Sequence, residues 1–416
     1  MDFDVCIVGG GAAGLMASVF AAQSGVSVAV VESNTSVGRK ILITGGGRCN
    51  ITHDGSIDHF VRAFDFCGRF LKHSLYEFSP ADAVEFFEGL GVKTKIEKDG
   101  LVFPKSDKAA TVKNALLEKA LSLGVKFIYG RTVESIVKDE DGFIVTAQAD
   151  IIESKSVIIA TGGKSWPVLG STGDGYRFAK QLGHGIVEPI PALMGLVSGQ
   201  QWFKKLQGVA VPEVKLSAKI SGKKISAVGP MIFTDKGLGG PGVFEFTRFA
   251  AEQLAGMKGT IEVSIDLVAG QNEDEFRDAL MSAGSENPRK KVLSFLSGFV
   301  PARLAGEMIS QCDIDEDTPL GQLAKKKRTR LVAKVKQLKV SVSGTTGFRQ
   351  ATITRGGVDT KQIDPKTMES KICPGLFFAG EVMNVDGPCG GYNLQIAWST
   401  GVLAGKCAAH KKSDRT

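Results

Sequence analysis

Apolar positions at the start of the chain form two short runs separated by a segment of small residues. Residues 5–8 and 27–31 are almost wholly apolar, and residues 12–23 place small and apolar side chains at helical spacing. Glycines interrupt the pattern before and after the middle segment, as they do at turns. The pattern predicts a strand, a helix and a second strand, which is a βαβ unit belonging to a parallel sheet.

Residues 5–31 carry no charged side chain and are long enough to resemble a membrane span. Gly9, Gly11 and Gly14 interrupt the run early, and Asp2 precedes it where a signal peptide carries basic residues. We therefore expect no membrane segment here.

Further along the chain, the periodicity predicts alternating helices and strands. Apolar residues at helical spacing predict helices at 79–90 and 110–123, with Ser79 capping the first. Strands are expected at 126–136, 143–148, 157–160 and 376–379.

The pattern changes after Pro191. Alternation over 209–225 across Ser221 and Gly222 predicts a hairpin, and 261–267 predicts another strand. Asn272 then opens a stretch of helices. We expect one discontinuous domain and an insert in two parts, with these bounds: 1–190 with 341–416 for the domain, 191–268 for the β part and 269–340 for the helical part.

Composition narrows the class of protein. The chain has 416 residues, of which 43% are hydrophobic, which suffices for two or three domains. Its seven cysteines are odd in number and lack Cys-x-x-Cys spacing, which argues against a disulfide framework and favours a reducing cytoplasm. The five histidines show no metal-ligand spacing, so we expect no metal.

The first glycine cluster has the spacing of a dinucleotide-binding turn. Gly9, Gly11 and Gly14 form Gly-x-Gly-x-x-Gly between the predicted strand and helix. This spacing allows a tight turn, close approach of backbone to a pyrophosphate, and packing of helix on strand. Glu32 ends the second strand, where a carboxylate binds the adenosine ribose. The carboxylate favours FAD or NAD over NADP.

A second glycine-rich segment follows at 38–50. Three consecutive glycines suit backbone wrapped along an extended ligand. Arg39, Lys40 and Arg48 add positive charge, and Thr44 and Asn50 can form hydrogen bonds to a ribityl chain or a ring edge. A flexible surface loop with solvated cations is the alternative interpretation.

Two more strands end in glycine turns. Residues 157–160 are followed by Thr161 and Gly162, and residues 376–379 by Gly380 and Glu381. The carboxylate of Glu381 can bind ribityl hydroxyls. The helix that begins near Gly391 can direct its positive dipole end at the pyrimidine part of a flavin. Ordinary strand-to-helix turns are the alternative.

These motifs resemble one family. The run Gly-Arg-Lys-Ile-Leu-Ile-Thr-Gly-Gly-Gly-Arg-Cys-Asn-Ile-Thr at 38–52, with Gly-Gly-Tyr-Asn-Leu-Gln at 390–395, is similar to the bacterial HI0933-like, or aminoacetone-oxidase-like, FAD-binding flavoproteins. The resemblance covers essentially the whole chain. It implies an α/β fold: a glutathione-reductase-like Rossmann FAD-binding domain interrupted by an insert that is part β-barrel and part helical.

The resemblance also implies a set of FAD contacts. By matching position they are Gly9, Gly11, Ala13, Gly14, Glu32, Arg39, Lys40, Thr44, Gly46, Arg48, Asn50, Val133, Thr161, Gly162, Gly380, Glu381, Asp386, Gly391, Tyr392, Asn393 and Leu394. The family's Phe-Thr-His-x-Gly-x-Ser-Gly-Pro pattern has Asp235 and Gly239 here in place of His and Ser. This difference leaves open whether the substrate chemistry is altered.

The leading functional hypothesis is an FAD-dependent oxidoreductase. A small substrate would pass hydride to flavin N5, with reoxidation by oxygen or another acceptor. NAD(P)H is a possible partner, although we expect no dedicated second Rossmann site for a nicotinamide cofactor. No side chain is assigned a catalytic role.

Two alternatives remain. The basic run at 325–339 would suit flavin-dependent modification of nucleic acid such as tRNA, but we interpret it as a solvated helix face and do not expect a nucleic-acid partner. A flavin-binding sensor without enzymatic activity is the other.

Overall fold

The computed structural model describes residues 2–410. The chain forms two compact units, one comprising Met1–Pro191 with Thr352–Thr416 and the other Ala192–Ala351. Each unit has its own hydrophobic core. We call the first the nucleotide unit and the second the insert, and each is described by itself.

From Asp2 onwards, the first part of the nucleotide unit contains ten strands and six α-helices. The strands are β1 (Asp2–Val8), β2 (Val28–Glu32), β3 (Thr52–His53), β4 (Thr94–Ile96), β5 (Leu101–Pro104), β6 (Lys126–Tyr129), β7 (Val133–Lys138), β8 (Phe143–Ala147), β9 (Asp150–Ile159) and β10 (Ile186–Ala192). The helices are α1 (Ala12–Gln23), α2 (Ile57–Ala63), α3 (Gly68–Glu77), α4 (Pro80–Gly89), α5 (Ala109–Ser122) and α6 (Asp174–Gln181).

The insert combines one large sheet with helices. Its strands are β11 (Leu196–Val197), β12 (Ala210–Ile220), β13 (Lys223–Phe233), β14 (Gly237–Gly239), β15 (Ile261–Asp266), β16 (Leu338–Val342) and β17 (Gly344–Thr345). Its helices are α7 (Phe203–Leu206), α8 (Pro241–Phe249), α9 (Ala251–Ala255), α10 (Glu273–Glu286), α11 (Val292–Leu296), α12 (Ala302–Ser310) and α13 (Lys325–Lys336). The strands pair antiparallel in the order β16-β15-β12-β13-β14-β11-β17. The barrel-like form of this part stays a prediction.

The chain then returns to the nucleotide unit with β18 (Ile353–Val358), β19 (Leu376–Phe378) and α14 (Tyr392–His410). β16 and β17 extend the insert's sheet beyond the predicted return at residue 341. The strand pairing explains why the compact insert continues to Ala351, since a paired strand cannot leave its sheet without losing its hydrogen bonds.

The central sheet of the nucleotide unit is parallel in its middle. β6, β2, β1 and β9 are successive parallel neighbours, and β19 also pairs parallel to the end of β9. The first half of β9 pairs antiparallel with β8, which pairs with β7. Residues 5–8 of β1 and all of β2 are buried on both faces of the sheet, which is typical of the inner strands of a parallel sheet.

Several local predictions are confirmed by the structure. The predicted helix at 12–23 is α1, and the hairpin turn at Ser221 and Gly222 joins β12 to β13. Ser79 and Asn272 each form a capping box, at α4 and α10. The stretch of helices that follows Asn272 includes the separate helices α11, which ends at Leu296, and α12, which begins after Pro301.

Within residues 2–410, no helix combines the length and apolar character needed to cross a bilayer.

Candidate functional site

Five parallel strands end at the same edge of the central sheet. They end at Val8, Glu32, Tyr129, Ile159 and Phe378, and their register aligns these ends. Ligands of open parallel sheets bind beyond this edge. The segments that follow the strands line one cleft together, at 9–13, 33–34, 131–133, 160–162 and 379–381.

The glycine turn between β1 and α1 forms the floor of this cleft. Gly9 has φ +102°, and a Cβ there would lie 2.7 Å from the carbonyl oxygen of Ala160. A Cβ at Gly14 would overlap the carbonyl oxygen of Gly9, so α1 packs directly on the turn. Both positions therefore require glycine for close backbone packing.

Gly11 differs from its neighbours because it faces open space. No described atom would lie within 4 Å of a Cβ at this position, and its φ of −76° is ordinary for any residue. Gly11 also precedes α1, whose amino end receives no cap from any side chain in residues 2–410. The first-turn N–H groups of α1 are thus available to an anionic ligand in the cleft.

Glu32 is held rigidly at the end of β2. It is 8% exposed, and its Oε2 accepts a hydrogen bond of 2.8 Å from the backbone N–H of Gly10. Its Oε1 accepts from the backbone N–H and the Nδ2 of Asn34, at 2.8 and 2.7 Å. The Asn34 side chain in turn accepts from Arg39. These bonds place a carboxylate beside the turn, where a ribose diol can reach it.

A charged pair joins the glycine-rich segment at 38–50, here called the glycine-rich arm, to the residues that follow β19. Lys40 Nζ lies 2.7 Å from Glu381 Oε2, in a pair that is about three-quarters buried. Glu381 Oε1 accepts from the backbone N–H of Thr354 at 2.8 Å and from the Ser165 hydroxyl at 3.1 Å. Both residues of the pair line the cleft, so it contains a cation and an oriented carboxylate.

A buried phenol lies behind this pair. Burial raises the pKa of Tyr176, and the negative charge of Glu381 raises it further. Tyr176 therefore stays protonated and cannot add negative charge to this end of the cleft.

The glycine-rich arm contributes only part of its length to the cleft. Lys40 and Thr44 line it, whereas Gly46 does not. Arg48 instead contacts Glu97 at 2.8 Å and stacks 3.9 Å above the ring of Phe103. The arm thus has one end beside the cleft and one end held by a neighbouring ion pair.

Two buried residues follow Arg48. Burial raises the pKa of Cys49 to about 12, so its thiol stays protonated and is not a nucleophile. Asn50 is 8% exposed, and its Oδ1 has no hydrogen-bond partner among the described residues. A buried polar atom in this condition is a candidate for bonding to a bound ligand.

The segment before α14 is organised by a buried ion pair. Asp386 is fully buried and bonds Arg355 through Nε at 2.8 Å and Nη2 at 3.2 Å. The Tyr392 hydroxyl lies 2.7 Å from Nε2 of His59, and its ring stacks on that of His53 with centroids 5.0 Å apart. These side chains bind neighbouring protein groups and do not line the cleft.

The structure therefore brings fourteen of the expected contact residues to one cleft. These are Gly9, Gly11, Ala13, Glu32, Arg39, Lys40, Thr44, Val133, Thr161, Gly162, Gly380, Glu381, Asn393 and Leu394. Seven others lie outside its lining, namely Gly14, Gly46, Arg48, Asn50, Asp386, Gly391 and Tyr392.

Sequence reasoning missed part of the lining. Asn34 and Arg131 come shortly after β2 and β6, so their position after a strand was a usable signal. The segment 169–172 and the pair 352–353 also line the cleft. Asn34 Nδ2 donates to the Leu169 carbonyl at 3.2 Å, a contact over 135 positions that no sequence pattern foretells.

The residues present fit FAD. The open space at Gly11, the uncapped end of α1 and the bonded carboxylate of Glu32 suit a pyrophosphate and an adenosine ribose. The cleft continues to Asn393 and Leu394 at the start of α14, which gives room for a second ring system. Fold and cleft together define a dinucleotide-binding flavoprotein.

The chain belongs to the HI0933-like family, whose Rossmann-domain model matches residues 3–407. The predicted family, the α/β Rossmann fold and FAD as cofactor are thereby confirmed, and the protein is an FAD-dependent oxidoreductase.

Two curated relatives align over nearly their full length. The 3-dehydro-bile acid delta(4,6)-reductase of Clostridium scindens is 34% identical over 97% of this chain and 98% of its own. The ribosomal RNA dihydrouridine synthase of Escherichia coli is 32% identical over 96% of each chain.

Among solved structures, the 3-ketosteroid delta1-dehydrogenase of Sterolibacterium denitrificans has a TM-score of 0.53. It is 14% identical, and the match covers 99% of this chain and 100% of that one. At this identity the likeness shows the fold alone.

Proposed function

We propose that this protein reduces a carbon–carbon double bond conjugated with a carbonyl group. The observation that carries the proposal is the chemistry shared by two relatives with very different substrates. A delta(4,6)-reductase acting on a 3-dehydro-bile acid saturates double bonds conjugated with the 3-oxo group, and forming dihydrouridine saturates the uracil double bond conjugated with a ring carbonyl. The substrates of the two relatives differ in size, but in both reactions the bond that is reduced is a carbon–carbon double bond conjugated with a carbonyl group.

When bound, FAD supplies two-electron chemistry, in which a hydride reaches the β-carbon of the conjugated system. The substrate's α-carbon takes up a proton, so the product gains two hydrogens. A reduced nicotinamide nucleotide supplies the two electrons and becomes oxidised. The insert's sheet is antiparallel throughout, so we propose that this donor binds transiently, without a dedicated second Rossmann site.

The chain's own residues hold and orient the cofactor. The first-turn N–H groups of α1 bind the pyrophosphate, and Gly11 leaves the space that it needs. Glu32, fixed by the Gly10 and Asn34 amides, accepts hydrogen bonds from the adenosine ribose. The fourteen predicted residues that line the cleft are the contacts we propose.

Near the other end, Glu381 is oriented by Thr354 and Ser165 and accepts hydrogen bonds from ribityl hydroxyls. Lys40 pairs with this carboxylate and adds a positive charge to the cleft. The cytoplasm is the proposed compartment, because the seven cysteines are odd in number and lack the Cys-x-x-Cys spacing of a disulfide framework.

The test uses purified protein whose FAD has been reduced anaerobically with dithionite. The substrates are a 3-oxo steroid with conjugated 4,6 double bonds and a uridine-containing RNA, and the matched control is a steroid with an isolated double bond. We expect at least one conjugated substrate to restore the flavin absorbance near about 450 nm and to gain two hydrogens by mass spectrometry. If the reduced protein is reoxidised by oxygen alone and neither substrate gains hydrogen, the proposal is wrong.

A further inference from the structure

Helix α13 in the insert has an unusual charge. Its sequence, Lys-Lys-Lys-Arg-Thr-Arg-Leu-Val-Ala-Lys-Val-Lys, contains seven cations and no acidic residue. Of the chain's 51 Lys and Arg and 44 Asp and Glu, the insert contains 23 and 16, whereas the rest of the chain contains 28 of each. The insert therefore carries the whole net charge of +7, and α13 accounts for an equal amount by itself.

One side of α13 belongs to the insert's core. Leu331, Val332 and Val335 are almost fully buried. Lys336 is buried with them, and its Nζ lies 2.8 Å from Asp266 and donates to the carbonyl of Val268 at 2.7 Å. This lysine is a structural cation and does not contribute to the exposed charge of the helix.

The other side of α13 faces solvent with little neutralisation. Arg330 pairs with the exposed carboxylate of Asp313, and Lys327 donates to the backbone carbonyl of the same residue. Four further cations have no ion-pair partner among the described residues, and these are Lys325, Lys326, Arg328 and Lys334. Lys325, Lys326, Lys327, Arg328, Arg330 and Lys334 are here called the basic face.

The arrangement of the basic face opposes helix stability. Lys326, Arg330 and Lys334 follow one another at i,i+4 spacing, where like charges repel. Four cations also occupy the first turn, at the positive end of the helix dipole, and Ala324 supplies no side-chain cap. Burial of the apolar side holds the helix despite this repulsion. A bound polyanion would relieve it.

We propose that the basic face of α13 binds the phosphate backbone of RNA. Its exposed positions between the cations are Thr329 and Ala333, and it presents no large apolar side chain. A helix that binds a membrane surface needs such apolar residues, so a lipid surface fits poorly. An RNA strand needs only a row of cations spaced along its backbone.

The inference deepens the proposed function by naming the substrate class. That RNA is the substrate rests on the proposed function. That the basic face binds RNA does not, because binding requires no turnover. The relative that is a ribosomal RNA dihydrouridine synthase, aligned over 96% of both chains, supports RNA as the partner.

The test compares two triple variants of the full-length, FAD-loaded protein. Lys325→Gln/Lys326→Gln/Lys334→Gln neutralises three unpaired cations of the basic face. The control, Lys219→Gln/Lys223→Gln/Lys224→Gln, removes the same charge from exposed positions of the β12–β13 hairpin. The probe is a fluorescein-labelled oligouridylate, and its anisotropy is measured over a series of salt concentrations.

We expect the α13 variant to bind at least about tenfold more weakly than wild type, with the slope of log Kd against log salt reduced by about two. The control should stay within about twofold of wild type. Because repulsion is removed, the thermal midpoint of the α13 variant should be unchanged or higher.

Three outcomes overturn the inference. They are no binding of oligouridylate by wild type, an equal loss in both variants, and binding of phosphatidylserine vesicles without binding of RNA. The binding assay and the reduction assay distinguish the two proposals. Loss of RNA binding in the α13 variant but not in the control supports the basic face whether or not turnover occurs. If wild type binds RNA but neither the steroid nor the uridine-containing RNA gains hydrogen, only the proposed function is contradicted.

Discussion

At the scale of single residues, the glycines of the cleft serve two different purposes. Gly9 and Gly14 are glycine because protein backbone lies where a Cβ would go. Gly11 has open space there and a backbone conformation that any residue adopts. The fold therefore does not require glycine at this position, whereas the pyrophosphate that we propose here would.

This difference predicts that Gly11→Ala folds normally and binds FAD at least about tenfold more weakly, because its methyl group occupies the pyrophosphate's space. The measurements are the Kd from flavin fluorescence and the thermal midpoint of the apoprotein.

Gly89→Ala in α4 is the matched control, since a Cβ there also meets no described atom within 4 Å. It should leave the affinity for FAD unchanged. An equal affinity of Gly11→Ala and wild type would contradict the placement of the pyrophosphate.

At the scale of elements, a group of polar contacts around Asp4 links β1, β2 and β9 at the end of the sheet opposite the cleft. Asp4 in β1 accepts from the backbone N–H and the hydroxyl of Ser27, both at 2.9 Å, just before β2. It also pairs with Lys155 of β9 at 3.0 Å. Burial raises the pKa of Asp4, but the bonds from Ser27 and Lys155 outweigh burial and lower the pKa to about 2.

The folded-state pKa of Asp4 lies below the unfolded value of 3.8, so the ionised carboxylate stabilises the folded protein. Its contribution to the free energy of unfolding is complete above about pH 4 and is lost as the pH falls towards about 2. We expect Asp4→Asn to lower the free energy of unfolding by about 1 kcal/mol at neutral pH, after allowance for solvent screening. The difference from wild type should shrink below about pH 4.

Urea unfolding of both proteins across this pH range measures the effect. Asp54→Asn, at an exposed carboxylate, is the control and should differ little from wild type at any pH. A difference for Asp4→Asn that does not vary with pH would show that the ion pair is not its cause.

At the scale of the whole molecule, the nucleotide unit is assembled from both ends of the chain. Helix α14 packs on α1, and both Gly401 and Gly405 bring the two backbones together. A Cβ at Gly401 would lie 2.6 Å from the carbonyl oxygen of Ala13. Strand β19, which also follows the insert, pairs parallel with β9. The cleft therefore forms only after the chain has returned from the insert.

We therefore predict that Gly405→Ala destabilises the protein by about 2 kcal/mol and lowers its FAD content, although Gly405 does not line the cleft. The added Cβ would clash with the carbonyl oxygen of Ala17 and push α14 away from α1. Chemical denaturation and the ratio of flavin to protein absorbance are the measurements.

The control is Gly256→Ala in the insert, where the nearest atom to a Cβ is 3.9 Å away. Normal stability and full FAD content in Gly405→Ala would show that the two helices tolerate separation.

The sequence by itself determined the elements and the nucleotide-binding turn. Strand β1, helix α1 and the capping boxes at Ser79 and Asn272 all depend on spacings within about thirty residues. The same is true of the binding role that we propose for Gly9, Gly11 and Glu32. Such spacings are set by local backbone hydrogen bonding and side-chain periodicity, which a sequence displays directly.

Only the tertiary structure decided which side chains of the motifs face the cleft. Lys40 meets Glu381 across 341 positions, while Arg48 faces Glu97 and Asp386 faces Arg355. A carboxylate or a cation in a motif can bond a ligand or a neighbouring side chain equally well. Which of these it does depends on what the fold places within about 3 Å of it, and pairings over such separations leave no periodic trace in the sequence.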